Sequence, residues 1–471
     1  MAAQPDADVK SIDSKKADTQ LIEESGGSST SPEQLLQGWP LLKDKSPEER
    51  EAINMKVLRK LDYMFLPCVT MMLIMCFLDR MNVTNARLAG MQDDLHMTDV
   101  QWSAGVSLFY VGHMISQVPG NVMLASGNPR ILLPACMLCW SIVTICMTAL
   151  NSPGSFIFCR FLIGVFEGPF TPAVSLMTSS WYTKNESPLR MAIWHAGNIV
   201  SNVISGLLAA AILTNMKGIA GLTSWQWFIL LEGIVSIAVA IGAFWFIPKW
   251  PHNTGTYYLT AEESEMAQYR IQVSTGGYVE DEAGGRWSGV ILAAKDPFTW
   301  LFSVLHFFVI MAQSFKDFFP SIMATFGFGE TATYLLQAPP YIVAFISCCV
   351  VSWSSGRRLE YFWHMAISML VALAGTVLSW ETTVVPRPRT KRAALIAIAN
   401  CLSNVTHWFS PYFFLRNQEP RYQTGGGSII AACGASVIML VVLKWYIARK
   451  NKQLDKEQEE TGQYNSWRFV S

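Results

Sequence analysis

The sequence predicts an all-α membrane protein with two groups of transmembrane helices. Hydrophobic residues make up 51% of the 471 residues and charged residues only 15%, a composition typical of membrane proteins. Apolar segments of about 20 residues, the length needed to cross a bilayer, recur along the chain. A polar stretch from Lys249 to Lys295 divides these segments into two groups. Lys and Arg balance Asp and Glu at 35 each, so nothing indicates a nucleic-acid partner.

Residues 1–61 are predicted to form a cytoplasmic tail. Residues 1–45 are polar and Ser-rich, which predicts disorder. Ser46 and Pro47 are typical of the N-cap and first residue of a helix. The basic residues that follow place this end of the chain in the cytoplasm; they are Lys56, Arg59 and Lys60.

Eleven apolar segments are candidate spans. The N-terminal half, 62–247, holds six of them, near 62–82, 101–124, 131–150, 156–181, 191–214 and 226–247. The C-terminal half, 298–447, holds five, near 298–319, 334–353, 361–380, 393–414 and 427–446. The linker 248–297 and the tail 448–471 are polar, and we expect both in the cytoplasm. Within the linker, Thr260 followed by Glu263 is a capping-box start of a short amphipathic helix.

The basic residues of the C-terminal half indicate that one crossing is missing. Arg358 and Arg387 should both lie in the cytoplasm, yet only 28 residues separate them. As a helix these residues would extend about 42 Å, enough for one crossing but not for two. We interpret this as a deleted or mis-spliced span, or as a re-entrant segment.

Charged residues inside two of the spans are candidate functional groups. Asp79 and Arg80 end the first span, and Arg160 and Glu167 are two turns apart on one face of the fourth. Adjacent helical residues point about 100° apart, so Asp79 and Arg80 should each find another partner. A pair that only ends the helix at the membrane interface is the alternative for Asp79 and Arg80. Ionisable groups within spans usually face a wet cavity or a partner.

Other polar positions are weaker candidates for substrate contact. Asn198 and Asn202 share one face of the fifth span, and Asn400 and Asn404 share one face of the span near 393–414. Hydrogen bonds between helices explain these amides equally well. Lys316 is a candidate for recognising an acidic solute, and the alternative for it is an interfacial ion pair with the adjacent aspartate. We expect a structural role for Glu232.

The chain contains no phosphate-binding glycine loop, no metal-ligand cluster and no evident pairing of a nucleophile with a base. We therefore expect neither an enzyme nor a bound cofactor or metal.

The motifs resemble those of a known family. They are LDRMNVTNA (78–86), CRFLIGVFEGPFTPA (159–173), SSWYTKNESPLR (179–190), WQWFILLEG (225–233) and PRPRTKRAALIAIANCLSNVTHWFSPYFF (386–414). The chain is similar to the major facilitator superfamily, and within it to the fungal anion:cation symporters that include allantoate, nicotinate and pantothenate permeases. The resemblance implies two six-helix halves, and it places the missing crossing at family position ten.

The resemblance also implies roles for the charged residues. By matching position, Asp79 and Glu167 are associated with proton coupling, and Arg80 and Arg160 with the substrate carboxylate or the gate. We therefore expect a proton-coupled symporter of a small organic anion, acting as a monomer in the plasma membrane, with the vacuolar or another internal membrane as the alternative location. Export of a secondary metabolite and a non-transporting sensor remain alternatives, because LASGNPR (124–130) and SSGRR (354–358) lack the acidic residue usual in the family's cytoplasmic latches.

Overall fold

The fold is described from a computed structural model. It describes residues 35–216, 218–252, 258–274, 287–313 and 423–461, together with isolated positions between 342 and 398. Regular secondary structure in these ranges is helical, which confirms the predicted fold class. The helices are α1 (Pro40–Lys43), α2 (Pro47–Leu88), α3 (Met91–Asp94), α4 (Asp99–Ser126), α5 (Pro129–Cys146), α6 (Pro153–Glu167), α7 (Phe170–Trp181), α8 (Ser187–His195), α9 (Gly197–Asn215), α10 (Ser224–Phe246), α11 (Ala261–Ser274), α12 (Ser288–Lys295), α13 (Pro297–Gln313) and α14 (Gln423–Thr461).

Helix α2 begins where the sequence predicts. The Ser46 hydroxyl accepts a hydrogen bond from the Glu49 backbone N–H at 3.2 Å, and the Glu49 carboxylate accepts one from the Ser46 N–H at 2.8 Å. This capping box satisfies two donors at the helix end. The helix has 42 residues, or about 63 Å, so its first turns extend beyond a hydrocarbon core of about 30 Å.

Four helical segments of the described residues are long and apolar enough to cross a membrane; they are Pro47–Arg87, Pro129–Ala149, Pro153–Trp181 and Ser224–Phe246. A fifth candidate is the bent pair of α12 with Pro297–Met311, whose two parts meet at 76°. The spans predicted near 101–124 and 191–214 are helical as α4 and α8 to α9, although they fall outside this set.

Helices α6 and α7 together occupy the predicted fourth span. They are separated at Gly168 and Pro169. A proline ring carries no N–H and therefore cannot donate the helical hydrogen bond, which accounts for the break. At Gly164 the helix lies directly against α4, since a Cβ atom placed there would be 2.1 Å from the Phe109 carbonyl oxygen. The absence of a side chain at Gly164 thus lets the two backbones touch.

The predicted linker helix is α11. Its capping box is formed as expected: the Glu263 carboxylate accepts from the Thr260 N–H at 2.9 Å, and the Thr260 hydroxyl accepts from the Glu263 N–H at 3.3 Å. One face of α11 is buried, as the i, i+3, i+4, i+7 spacing of an amphipathic helix requires; this face comprises Glu263, Met266, Ala267 and Arg270.

The expectation of disorder through residue 45 is wrong for the last residues of that range. Helix α1 lies next to α11, where the Trp39 indole N–H donates to the Gln272 side chain at 3.2 Å and the Leu41 N–H donates to Glu265 at 3.0 Å. Trp39 and the buried Leu42 provide apolar surface for this packing. The disorder was predicted from the average composition of residues 1–45, which is polar and Ser-rich and does not reflect these two residues.

In the C-terminal half, α13 and α14 pack together through an apolar cluster formed by Phe298, Phe302, Leu305, Val309, Leu440, Leu443 and Ile447. Residues 359–394, where the predicted missing crossing falls, lie outside the described residues. The number of spans in that half and the boundaries of the predicted domains stay predictions.

Candidate functional site

Charged side chains are buried together where α2, α6 and α10 meet. The four most buried retain no more than a few per cent of their exposure, at 4% for Asp79, 3% for Arg160, 0% for Glu167 and 8% for Glu232. The Arg80 side chain is 21% exposed. We call these five residues the buried charge cluster. Ionisable groups at such depth in a membrane helix require partners or a wet cavity.

Arg80 pairs with Glu167 across α2 and α6. The Arg80 Nε atom lies 2.5 Å from Oε1 of Glu167. The guanidinium also lies 5.1 Å from the centre of the Phe77 ring and 5.6 Å from that of Phe109, both within cation–π range. The expectation that Arg80 finds a partner other than Asp79 is confirmed.

Asp79 turns in a different direction, towards α5. Its Oδ2 atom accepts a hydrogen bond from the Thr144 hydroxyl at 3.0 Å. The same hydroxyl is 3.0 Å from the Trp140 carbonyl oxygen, so its single proton has two acceptors to choose between. The Asp79 carboxyl also interacts electrostatically with Arg160 and Arg80.

Arg160 is buried, and some of its N–H groups have no hydrogen-bond acceptor among the described residues. Its guanidinium lies 4.6 Å from the centre of the Phe109 ring and interacts electrostatically with Asp79 and Glu167. Its Nε and Nη1 atoms are buried and have no hydrogen-bond partner among the described residues. A guanidinium presents its donors in a planar fork that matches a carboxylate. The site therefore holds a positive group whose N–H donors could bind a further anionic oxygen.

Glu232 joins the cluster from α10, which the sequence analysis did not anticipate. The Asn82 side-chain amide donates to Oε2 of Glu232, and the Ser205 hydroxyl donates to Oδ1 of Asn82 at 3.2 Å. The Asn85 amide in turn donates to the Ser205 hydroxyl at 2.9 Å. These contacts link α2, α9 and α10, so they are compatible with the expected structural role. Glu232 also interacts electrostatically with Asp79, Glu167 and Arg160.

Cys76 is the second residue that the sequence analysis missed. Its thiol donates to Oε1 of Glu167 at 2.9 Å, one turn of α2 before Arg80. Oε1 of Glu167 thus accepts from both Cys76 and Arg80, whereas its Oε2 atom is buried without a partner among the described residues. A cysteine in an apolar segment usually acts as a small hydrophobe, so no sequence signal distinguished this one.

Asn198 and Asn202 are half-buried on α9 and bond to one another. The Asn202 amide donates to the Asn198 carbonyl oxygen at 2.8 Å and to its side-chain oxygen at 3.3 Å. They share a face, as predicted, but within the described residues their side-chain hydrogen bonds stay inside α9. Asn400, Asn404 and Lys316 lie outside the described residues. Within the described part of the chain no group of three or more His, Cys, Asp or Glu side chains could hold a metal ion.

A sequence profile described as the Major Facilitator Superfamily matches residues 69–440. The chain belongs to this superfamily. It is therefore a multi-pass membrane transporter rather than an enzyme, as the resemblance implied.

Fungal proteins of the superfamily are similar to it over most of their length. The "MFS-type transporter cnsO" of Penicillium expansum is 26% identical over 441 residues, covering 85% of each chain. The "Pantothenate transporter FEN2" of Saccharomyces cerevisiae is 25% identical over 459 residues, covering 87% of this chain and 88% of that one. The recognition of a fungal permease-like sequence is confirmed.

Solved structures of the superfamily share the fold. The proton:xylose symporter XylE superposes with a TM-score of 0.60 over 81% of this chain and 95% of its own. Its sequence identity is 11%, so the likeness concerns the fold alone.

Proposed function

We propose that this transporter imports a small organic anion together with protons, as a monomer in the plasma membrane. The single observation that carries the proposal is that the Arg160 guanidinium is buried with N–H groups that lack hydrogen-bond acceptors among the described residues. A buried guanidinium beside two acids, with two N–H groups lacking acceptors among the described residues, is suited to bind the carboxylate of a solute.

Charge balance supports the coupling to protons. Three acids, Asp79, Glu167 and Glu232, face two arginines in the buried charge cluster. A solute carboxylate entering this cluster adds a negative charge to a site that already has an excess of acids. Unpaired charge is costly away from water, so the anion binds most favourably when an acid has taken up a proton. Proton and anion then bind with positive linkage.

The ion pair between Arg80 and Glu167 supplies a mechanism for that linkage. While Glu167 is ionised it occupies the Arg80 guanidinium. Protonation weakens this attraction and releases Arg80 for the substrate carboxylate or for a rearrangement of the gate. Asp79 has the equivalent relation to Arg160 through electrostatic interaction. Rocking of the two halves about the site would carry proton and anion across together.

The substrate class that we propose is a carboxylate vitamin or nitrogen source. A relative that covers most of this chain is named a pantothenate transporter, which supports an acidic solute of similar size. We assign Asn198 and Asn202, with Asn400, Asn404 and Lys316 from the other half, to hydrogen bonding or charge recognition of that solute.

The test is uptake into proteoliposomes that contain the purified protein, driven by an inward proton gradient. Labelled pantothenate is assayed first, followed by other small carboxylates. We expect accumulation that collapses when the gradient is dissipated, and that Asp79→Asn abolishes. The matched control is Glu262→Gln, which removes a half-exposed acid of α11 that pairs with Lys45. Efflux coupled to proton entry would identify an exporter instead. Absence of transport for every carboxylate, in either direction, overturns the proposal.

A further inference from the structure

A cavity with charged side chains in its wall lies away from the buried charge cluster, at the end of the helices that the basic residues assign to the cytoplasm. Its volume is about 640 Å³, within the range of small-molecule sites. Its wall comes from the first turns of α2, the connection between α7 and α8, and one side of α11. The three segments are far apart in sequence, and the fold brings them together around this space.

The charged residues in the wall of this cavity are mostly basic. Arg50, Lys184 and Arg270 line it, against a single lining acid, Glu51, among the described residues. Asn54 and Asn185 add neutral amide groups to the same wall. This combination of cations and neutral hydrogen-bond donors matches the oxygen-rich surface of a phosphate ester.

The guanidinium of Arg50 has no partner within the described ranges. No hydrogen bond or ion pair joins its side chain to another described residue, and its Nε atom is buried. A guanidinium carries five N–H donors, all of which seek acceptors. On the cavity wall, Arg50 is therefore a positive group that can take an acceptor from a ligand.

Arg270 forms a fixed positive element of the wall. It is 7% exposed, and its guanidinium donates to the Asn54 side-chain oxygen at 3.0 Å and to the Trp181 carbonyl oxygen at 3.5 Å, while it pairs with Glu186. These contacts hold the guanidinium in place from three elements. Its Nε atom remains buried without a partner among the described residues. A preorganised cation of this kind lowers the cost of ordering the site when an anion binds.

We propose that this cavity binds a phosphate ester of the cytoplasm, either the headgroup of a phosphoinositide lipid or a soluble inositol phosphate. The cavity lies about 12 Å along α2 before the predicted edge of the first span, counting from Asn54 to Asp62. Exposed Lys56 and Arg59 occupy the intervening turns, and juxtamembrane basic residues of this kind attract anionic lipids. The bound anion would hold α11 against α2 and so regulate how the linker moves during transport.

The test is a binding measurement that does not depend on transport. Purified full-length protein is titrated with inositol 1,4,5-trisphosphate, and separately placed in nanodiscs with or without phosphatidylinositol 4-phosphate, with thermal unfolding as the readout. We expect saturable binding and a higher melting temperature in at least one arm. Preference for the nanodisc arm identifies the lipid, and equal binding of the free ester identifies a soluble ligand.

Substitutions of residues that line the cavity test whether the ligand binds there. Arg50→Gln and Lys184→Gln should each weaken binding by about tenfold or more, the effect of losing a charge-assisted hydrogen bond. Lys45→Gln is the matched control, because Lys45 pairs with Glu262 at 3.0 Å outside the cavity. Unphosphorylated inositol should not compete. The proposal is overturned if neither probe binds, if inositol competes as well as its phosphate, or if Arg50→Gln and Lys45→Gln behave alike.

Discussion

The guanidinium of Arg80 and the carboxylate of Glu167 form an ion pair between α2 and α6, with 2.5 Å between Nε and Oε1. Glu167 is fully buried, whereas the Arg80 side chain keeps 21% of its exposure. An arginine that holds a buried carboxylate but is itself partly exposed can exchange that carboxylate for another anion. This relationship connects the architecture of the N-terminal half to the proposed coupling, and it can be tested by changing either side of the pair.

Replacement of Glu167 by Gln should uncouple the proton gradient from transport. The amide keeps the shape of the side chain but can neither pair electrostatically with Arg80 nor carry the proton. We expect gradient-driven accumulation to be lost, while exchange of labelled for unlabelled substrate persists in part. Both activities are measured in the same proteoliposomes, with Glu262→Gln as control. Normal accumulation by Glu167→Gln would show that this carboxylate does not couple the two fluxes.

Glu232 is expected to behave differently, because its contact with Asn82 is compatible with a neutral side chain. Glutamine offers an oxygen that can accept the same hydrogen bond from the Asn82 amide. We expect Glu232→Gln to retain proton-driven accumulation. Glu232→Ala should lose thermal stability by about 1–3 kcal/mol, because a buried amide donor is left unsatisfied.

Glu232→Gln and Glu232→Ala together distinguish a structural role of Glu232 from a role in proton coupling. Melting temperatures of the purified proteins report the first role, and accumulation against a pH gradient reports the second. If Glu232→Gln abolishes accumulation while its melting temperature is unchanged, Glu232 belongs with Asp79 and Glu167 among the proton-coupling acids.

Much of this arrangement could be predicted from the sequence, because charges inside apolar segments are conspicuous. The helix starts at Ser46 and Thr260 were predictable from their capping boxes, since those signals are local. The geometric argument that Asp79 and Arg80 point apart also gave the correct result.

Contacts between helices could not be predicted in the same way. Thr144 and Cys76 are ordinary residues of apolar spans, and only the packing of α5 and α6 against α2 reveals that they bond to Asp79 and Glu167. The contact between Asn82 and Glu232 joins residues 150 positions apart, for which a single sequence contains no signal. Local sequence patterns thus predicted which charged residues are buried within the spans. They did not predict which residues of other helices form hydrogen bonds or ion pairs with them.

Binding of a substrate carboxylate should require a guanidinium at position 160, and a positive charge alone should not be sufficient. Lysine would place one ammonium where the planar fork now lies, so a carboxylate could no longer bind in two parallel hydrogen bonds. We expect Arg160→Lys to raise the KM for a carboxylate substrate by about tenfold or more, with a smaller effect on the maximal rate. Uptake at several substrate concentrations measures both quantities.

Arg190→Lys is the matched control for that substitution. Arg190 pairs with Asp62 at 2.7 Å in the N-terminal half of α2, outside the buried charge cluster. Its replacement should leave the KM unchanged. Equal KM values for the wild type and Arg160→Lys would place the substrate carboxylate elsewhere.

The docking of the linker helix should weaken in acid through Glu263. Burial alone would raise the pKa of this carboxyl, but hydrogen bonds from Lys60, at 2.6 Å, and from the Thr260 N–H hold the pKa below its ordinary value of 4.5. A group with a lowered pKa stabilises the folded state above the unfolded-state pKa, and this contribution disappears as the pH falls through the lowered value. Because Lys60 is 37% exposed, we expect the contribution to be about 1 kcal/mol or less.

Melting temperatures of the purified wild type and of Glu263→Gln, compared at neutral pH and again well below pH 4.5, measure this contribution. At neutral pH the variant should melt at a lower temperature, because Lys60 has lost its charged partner. In acid the two curves should converge, since the wild-type carboxyl is then protonated and as uncharged as the glutamine amide. Glu262→Gln, on the neighbouring position of α11, should match the wild type within error at both pH values. A gap between wild type and Glu263→Gln that persists unchanged in acid would mean that the substituted amide disturbs packing rather than charge.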